Sequence, residues 1–81
     1  MSEIETRGKL TALLGRQQMT TGERVSLRRL ADRAGVPKDF VYRLDAGQAR
    51  YVDLDAIVRL CAALDCRPEE ILVWNEDGRD E

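Results

Sequence analysis

Apolar residues recur at intervals of three and four along most of this 81-residue chain, which is the spacing of one helix face. Leu10, Leu13 and Leu14 set this spacing near the start. The pattern predicts five helices, at about residues 3–18, 27–34, 38–46, 54–64 and 68–74. The fourth is expected to bury Leu54, Ile57, Val58, Cys61 and Leu64. We therefore expect an all-α, compact five-helix domain with one modest core.

Residues with special backbone preferences mark the ends of these predicted helices. Ser26 and Asp53 suit N-cap positions, because a short polar side chain accepts a hydrogen bond from free backbone N–H groups. Pro37 suits a first turn, where its missing N–H is not needed. Gly35 and Gly47 stand where a helix ends and the chain turns, which often requires a positive φ.

The two short helices on either side of Gly35 form the most informative segment, residues 26–47. Leu30 and Ala31 belong to the apolar stripe of the first helix, and Ala31 is small enough for a second helix to cross closely. This arrangement is typical of a helix-turn-helix, whose second helix lies in the major groove of DNA. Sequence-specific DNA binding is the leading hypothesis.

Charge is distributed unevenly along the chain, whose formal net charge is −2. Residues 24–50 contain seven basic and three acidic residues, a local net charge of +4. Residues 68–81 contain one basic and six acidic residues, a local net charge of −5. Local potential governs docking on a polyanion, so the central segment favours a nucleic-acid partner. The alternative is an arginine-rich solvated surface.

The composition argues against an enzyme, a metal site and a cofactor. The chain has no histidine, no phosphate-binding glycine-rich loop and no candidate activated nucleophile. Cys61 and Cys66 lack metal-ligand spacing, and we expect reduced thiols beside the helical core, with a disulfide or redox switch as the alternative. No signal peptide or membrane-spanning apolar run is evident, so we expect a cytoplasmic protein without membrane contact.

Several short motifs, taken in order, resemble the Xre (lambda repressor/Cro-like) helix-turn-helix family. Each is weak alone, but their order and spacing over roughly residues 8–74 are fairly specific. They are Leu10-x-x-Leu13-Leu14, Leu30-Ala31, Gly35-Val36, Val41-x-x-Leu44, Gly47, Leu54-x-x-Ile57, Leu60-Cys61-x-x-Leu64 and Pro68-x-x-Ile71-Leu72. We expect residues 1–74 to form this helix-turn-helix domain and residues 75–81 to form a frayed acidic tail.

The chain departs from the family pattern in two places. Residues 20–25 are predicted to form a loop, where family members usually turn tightly between the first two helices. Leu27 stands where the family often has a glutamine that touches phosphate, and a leucine cannot make that contact.

The resemblance implies that exposed residues of the third helix reach base edges. We predict base contacts by Lys38, Asp39, Tyr42 and Arg43. Arg43 is the strongest candidate, because a guanidinium donates two hydrogen bonds to guanine. Alternative roles stay open, and Lys38 could bind phosphate instead of guanine. Asp39 could cap its helix, Tyr42 could face solvent or bind phosphate, and Phe40 could be buried or pack on a thymine methyl group.

Phosphate contacts are expected from the segments that flank this helix, and they fix register without reading sequence. The predicted residues are Ser26, Arg28, Gln48 and Arg50. Because one helix-turn-helix makes a small contact, we expect a homodimer on a two-fold DNA site. Val73 and Trp74 could form the dimer surface, or Trp74 could close the monomer core. The alternative function is a protein-interaction module, such as an antitoxin or adaptor, that acts through the acidic tail.

Overall fold

Five helices form where amphipathic segments lie between residues that cap or break a helix. The computed structural model describes residues 3–75. The helices are α1 (Lys9–Thr21), α2 (Leu27–Ala34), α3 (Lys38–Asp45), α4 (Leu54–Leu64) and α5 (Pro68–Ile71). Two short strands, β1 (Glu3–Glu5) and β2 (Val73–Asn75), pair near the two ends of the chain.

The predicted capping residues act as expected. The Ser26 hydroxyl accepts a hydrogen bond from the Arg29 N–H at 3.1 Å, and the Asp53 carboxylate accepts one from the Asp55 N–H at 2.9 Å. Gly35 ends α2 with a φ of 72°, a conformation that side chains with a Cβ rarely adopt. These local signals set the ends of the two helices around the turn.

The core lies where α2 and α3 pack against α1 and α4. It consists of Leu10, Leu13, Leu14, Leu30, Ala31, Val36, Phe40, Val41, Leu44, Ala56, Ile57, Leu60, Leu64 and Ile71. The fourth helix differs from its prediction, because Leu54 and Val58 are exposed and the buried side instead contains Ala56 and Leu60. Trp74 is 60 % exposed, so it does not close the core.

The fold is mostly helical, as predicted, but it is not purely α, because a short strand lies near each end of the chain. The first helix begins at Lys9 rather than near residue 3, because Gly8 has a φ of 71° and interrupts any earlier helix. Residues 3–5 instead pair antiparallel with β2, placing Ile4 opposite Trp74. Strand β1 alternates polar and apolar residues, and β2 contains Val73 and Trp74, which favour strands. Three residues are too few, however, for the two-residue period that predicts a strand from sequence.

Three other predicted boundaries also shift. Helix α1 continues to Thr21 and ends at Gly22, so part of the predicted 20–25 loop is an additional helical stretch. Helix α5 ends at Ile71 rather than near residue 74, since the chain turns into β2. Asn75 belongs to that strand and not to the predicted tail, whose remaining residues, 76–81, lie outside the described part of the chain.

The end of α3 caps the start of α1. The residue before α1 is Gly8, which offers no side chain to accept from the first N–H groups. Asp45, the last residue of α3, supplies both carboxylate oxygens: one accepts from the Thr11 N–H at 3.0 Å and the other from the Thr11 hydroxyl at 2.6 Å. The Asp45 carbonyl also accepts from the Gly8 N–H at 2.7 Å. The buried Thr6 hydroxyl donates to the Leu44 carbonyl at 2.7 Å. Together these hydrogen bonds form the joint between the end of α3 and the start of α1.

The two cysteines meet where α4 ends. Asp65 is left-handed, with a φ of 53°, and the Cys66 N–H donates to the Cys61 carbonyl at 3.0 Å. This is the Schellman arrangement, in which the side chains at these two positions touch. Both thiols are free, and each influences the pKa of the other. Burial raises the pKa of Cys61 and raises the pKa of Cys66 to about 12.

Replacement of Asp45 by alanine tests the joint between α3 and α1. We expect Asp45→Ala to lower the free energy of unfolding by about 1–2 kcal/mol, because the Thr11 N–H loses its cap. Urea denaturation followed by circular dichroism measures this. Asp32→Ala is the control, because the Asp32 carboxylate is exposed and makes no hydrogen bond within residues 3–75. This change should alter the free energy of unfolding by less than about 0.5 kcal/mol. Equal effects of both changes would contradict the assigned cap.

The raised thiol pKa predicts slow alkylation in the folded protein. Only the thiolate is nucleophilic, so at pH 8 the unmodified protein should react with iodoacetamide at least ~10-fold more slowly when folded than in urea. The rate for the folded protein should rise as the pH approaches the pKa of Cys66. Mass spectrometry of timed samples gives both rates, and similar rates in the two states would refute the assignment.

Candidate nucleic-acid interface

Helix α3 has one side in the core and the other side exposed. Successive residues are about 100° apart around a helix, so residues 40, 41 and 44 share one side and residues 38, 39, 42 and 43 share the opposite side. The three residues on the first side, Phe40, Val41 and Leu44, are buried. All four predicted base-contacting residues are exposed together on the second.

The backbone around the turn holds α3 firmly. Gly35 connects α2 to the extended residue Pro37, and the Val36 N–H donates back to the Ala31 carbonyl at 3.1 Å. Arg59 of α4 donates to the Gly35 carbonyl, also at 3.1 Å. Phe40 is only 8 % exposed, so it is a core residue and is not available to a thymine methyl group.

The exposed side of α3 carries charges that no contact with the described part of the chain neutralises. Within residues 3–75, Lys38 and Arg43 form no ion pair, and Asp39 accepts no hydrogen bond. Asp39 therefore does not cap α3 by hydrogen bonding, although its charge in the first turn suits the helix dipole. Tyr42 is 43 % exposed between them. The face offers donors, an acceptor and an aromatic ring to an external partner.

Two of the predicted phosphate-binding residues lie at the start of α2. Ser26 and Arg28 line an open depression of about 540 Å³ together with Arg24 and Arg29, and with two acidic residues, Glu23 and Asp32. The Ser26 oxygen accepts from a backbone N–H, which leaves its own O–H free to donate.

The other two predicted phosphate-binding residues, Gln48 and Arg50, lie between α3 and α4. Both side chains are exposed. This loop begins at Gly47, whose φ is 76°. Arg50 lines a second depression with Gly47, and it forms no ion pair in the described part of the chain.

Arg7 is a basic residue of this region that the sequence did not indicate. It crosses directly over Gly47, where an added Cβ would lie 3.1 Å from the Arg7 Cβ. Its side chain is exposed and has no ionic partner among residues 3–75. A separation of forty positions hides this proximity in the sequence, and the prediction that residue 7 was helical obscured it further.

The two departures from the family pattern have structural roles. Leu27 packs against the core, so it replaces a polar surface contact with an apolar internal one. The segment after α1 is held to α2 by Glu23, whose carboxylate pairs with Arg33 at 2.8 Å. Arg24 next to it is exposed.

Residues 3–75 carry neither a metal-binding cluster nor a helix suited to a lipid bilayer. No group of three or more His, Cys, Asp or Glu side chains in this region is placed to hold a metal ion. No helix found there has the length and apolar character needed to cross a lipid bilayer.

The comparisons with known proteins agree with the geometry. Residues 9–77 match the family model of the Cro/C1-type HTH DNA-binding domain. Among solved structures, the restriction-modification controller protein C.AhdI from Aeromonas hydrophila is similar, with 31% sequence identity and a TM-score of 0.55. The match covers 80% of this chain and 94% of that one. The comparison with curated proteins gives no match.

Proposed function

The chain belongs to the Cro/C1-type helix-turn-helix family of DNA-binding domains, and from this membership we propose that it is a sequence-specific regulator of transcription that acts as a homodimer. The observation that carries the proposal is the exposed side of α3. Four polar side chains of different hydrogen-bonding character lie there, directly opposite the buried side. We expect no catalytic activity.

In the proposed complex, α3 lies in the major groove and Arg43 reads a guanine. Its guanidinium is unpaired within residues 3–75, so no internal ion pair has to break before it donates to guanine O6 and N7. Lys38 donates to a guanine or a phosphate, and Asp39 accepts from cytosine N4. Tyr42 contacts a base edge between them.

Phosphate contacts on both sides of α3 fix its position in the groove. Ser26 and Arg28 bind one stretch of backbone from the start of α2, and Gln48 and Arg50 bind another from the loop after α3. Arg7, which crosses Gly47, adds a charge to this second group. Contacts of this kind set register and give binding its dependence on salt.

The similarity to C.AhdI gives the proposal a biological setting. That protein is a restriction-modification controller, and the match, at 31% identity, covers nearly all of its length. We propose that this chain is a regulator of the same controller kind. A homodimer on a two-fold DNA site is the arrangement that a helix-turn-helix of this size favours.

Selection against a random double-stranded DNA pool at physiological salt tests the proposal. Enrichment of a two-fold-symmetric motif by purified full-length protein is the expected result. A folded protein that enriches nothing would overturn it, and would move the search to protein partners of the acidic segment.

Arg43→Ala should weaken binding to the selected site by about 1–3 kcal/mol and relax the preference at one base pair per half-site. Fluorescence anisotropy with the selected duplex and its single-base variants measures both effects. Arg33→Ala is the matched control, because it removes an arginine of α2 that is already paired with Glu23. Equal loss on every sequence would make Arg43 a phosphate contact instead.

Arg50→Ala should weaken binding to all sequences similarly and make the plot of log K against log salt concentration shallower by about one unit. Anisotropy titrations at several salt concentrations give the slope. Arg67→Ala serves as the control, because Arg67 is an exposed arginine outside the predicted phosphate contacts. Its Nε lies 3.7 Å from Glu69 Oε2. An unchanged slope in the Arg50 variant would remove it from the phosphate contacts.

A further inference from the structure

Helix α4 carries apolar residues on the side that faces away from the core. Its buried side contains Ala56, Ile57, Leu60 and Leu64. Leu54 and Val58 lie on the opposite side with 73 % and 61 % of their surface exposed, and Ala62 continues the row one turn later. A surface helix normally has polar residues there, so a row of three apolar residues indicates a binding face.

The row is bordered by one acid and one base, which can pair with the same two residues of a second copy. Asp55 and Arg59 border the row, one turn apart, and form an i,i+4 pair with 3.1 Å between Arg59 Nε and Asp55 Oδ2. Arg59 also donates from Nη1 to the Gly35 carbonyl. If two α4 helices pack antiparallel about a two-fold axis, Leu54 of each copy meets Val58 of the other. The same axis places Asp55 opposite Arg59 of the other copy, twice.

We propose that this face, formed by Leu54, Asp55, Val58, Arg59 and Ala62, is the surface through which two copies of the chain associate. The small Ala62 ends the row and adds no bulky side chain that would hold the two helices apart. The inference rests on the proposed function, because it specifies how the proposed homodimer is built.

The position of the α4 face suits a dimer on DNA. Helix α4 begins at Leu54, four residues after Arg50, so antiparallel packing at α4 places the two α3–α4 loops at opposite ends of the helix pair. The phosphate-binding residues of both copies would then lie on either side of the axis. Each α3 stays free to enter its own half-site.

The other exposed apolar pair, Ile4 and Trp74, is a poorer candidate. The strand β1 carries Glu3 and Glu5, and neither strand has a basic residue. A symmetric pairing of β1 with its copy would place these carboxylates opposite each other, which is destabilising. The α4 face has no such conflict, so the sequence-based assignment of the dimer surface to Val73 and Trp74 is not the one that we propose.

A charge-exchange experiment tests the α4 face. Asp55→Arg and Arg59→Asp each place like charges across the two-fold axis, so each variant alone should dimerise about tenfold or more weakly than the unmodified chain. An equimolar mixture should regain dimers, because the arginine introduced in one variant meets the aspartate introduced in the other. Sedimentation velocity measures the dimer fraction, and a mass label on one variant shows that the regained species is mixed. A mixture that stays monomeric, while both variants keep the circular-dichroism spectrum of the unmodified chain, would overturn the proposal.

Polar substitutions of exposed apolar residues give an independent test. Val58→Glu changes an exposed residue, so the fold should persist, with an unchanged circular-dichroism spectrum, while dimerisation weakens by about tenfold or more. Trp74→Ser is the matched control in the other apolar pair and should dimerise as the unmodified chain does. The reverse result, a monomeric Trp74 variant and a dimeric Val58 variant, would overturn the α4 assignment.

Binding to a DNA half-site separates this proposal from the proposed function. Val58→Glu should bind a single half-site as well as the unmodified chain does, and should lose only the cooperative binding to the full site. An unmodified chain that binds half-sites but never dimerises, with or without DNA, would overturn the α4 proposal alone. Failure of the unmodified chain to bind any DNA would instead contradict the proposed function.

Discussion

The joint between the end of α3 and the start of α1 is the constraint on which the arrangement of the other elements depends. The first N–H groups of a helix have no partner within it, and the residue before α1 is a glycine that cannot cap. Asp45 supplies the missing acceptors from α3, while Thr6 and Gly8 donate to carbonyls at the end of that same helix. One set of hydrogen bonds therefore satisfies two helix ends and fixes α3 against the rest of the domain.

This joint matters because α3 is the helix that would enter DNA. A reading helix needs a rigid support, since a displacement of about 1 Å breaks hydrogen-bond geometry. Support comes from three directions: the buried side of α3 packs on the core, its end is tied to α1, and Arg59 holds the turn before it. Its outward side is left without internal partners in the region described, which is the condition for binding something else.

Helices α3 and α4 each have a buried side and an exposed side, but their exposed sides differ in chemistry. On α3 the exposed side is polar and charged, which suits a hydrated groove lined by base edges and phosphates. On α4 it is an apolar row bordered by one acid and one base, which suits a dry contact with an identical surface. The two helices are joined by the loop that carries Gln48 and Arg50. Association and DNA contact would therefore be mechanically connected through a few residues.

The positions of the helices and much of the candidate site could be predicted from the sequence. Leu30, Ala31 and Gly35 specify two crossing helices through local spacing and backbone preference, and Ser26 and Asp53 act as caps over two or three residues. The exposed residues of α3 followed from the same period, because Phe40, Val41 and Leu44 mark the side that must be buried. These signals act within one or two helical turns, where the chain alone determines geometry.

Contacts between distant residues were decided by the tertiary structure. The pairing of residues 3–5 with 73–75, the cap that Asp45 places on α1 and the passage of Arg7 over Gly47 join positions that are between 34 and 72 residues apart. The outward direction of Leu54 and Val58 was decided in the same way, since both fit an apolar helix face and only packing chose which side is buried. The sequence by itself determined where the helices form, because that depends on local propensity and period. Only the folded chain determined how the ends are closed and which apolar surface is left over, because those depend on which distant groups come within reach.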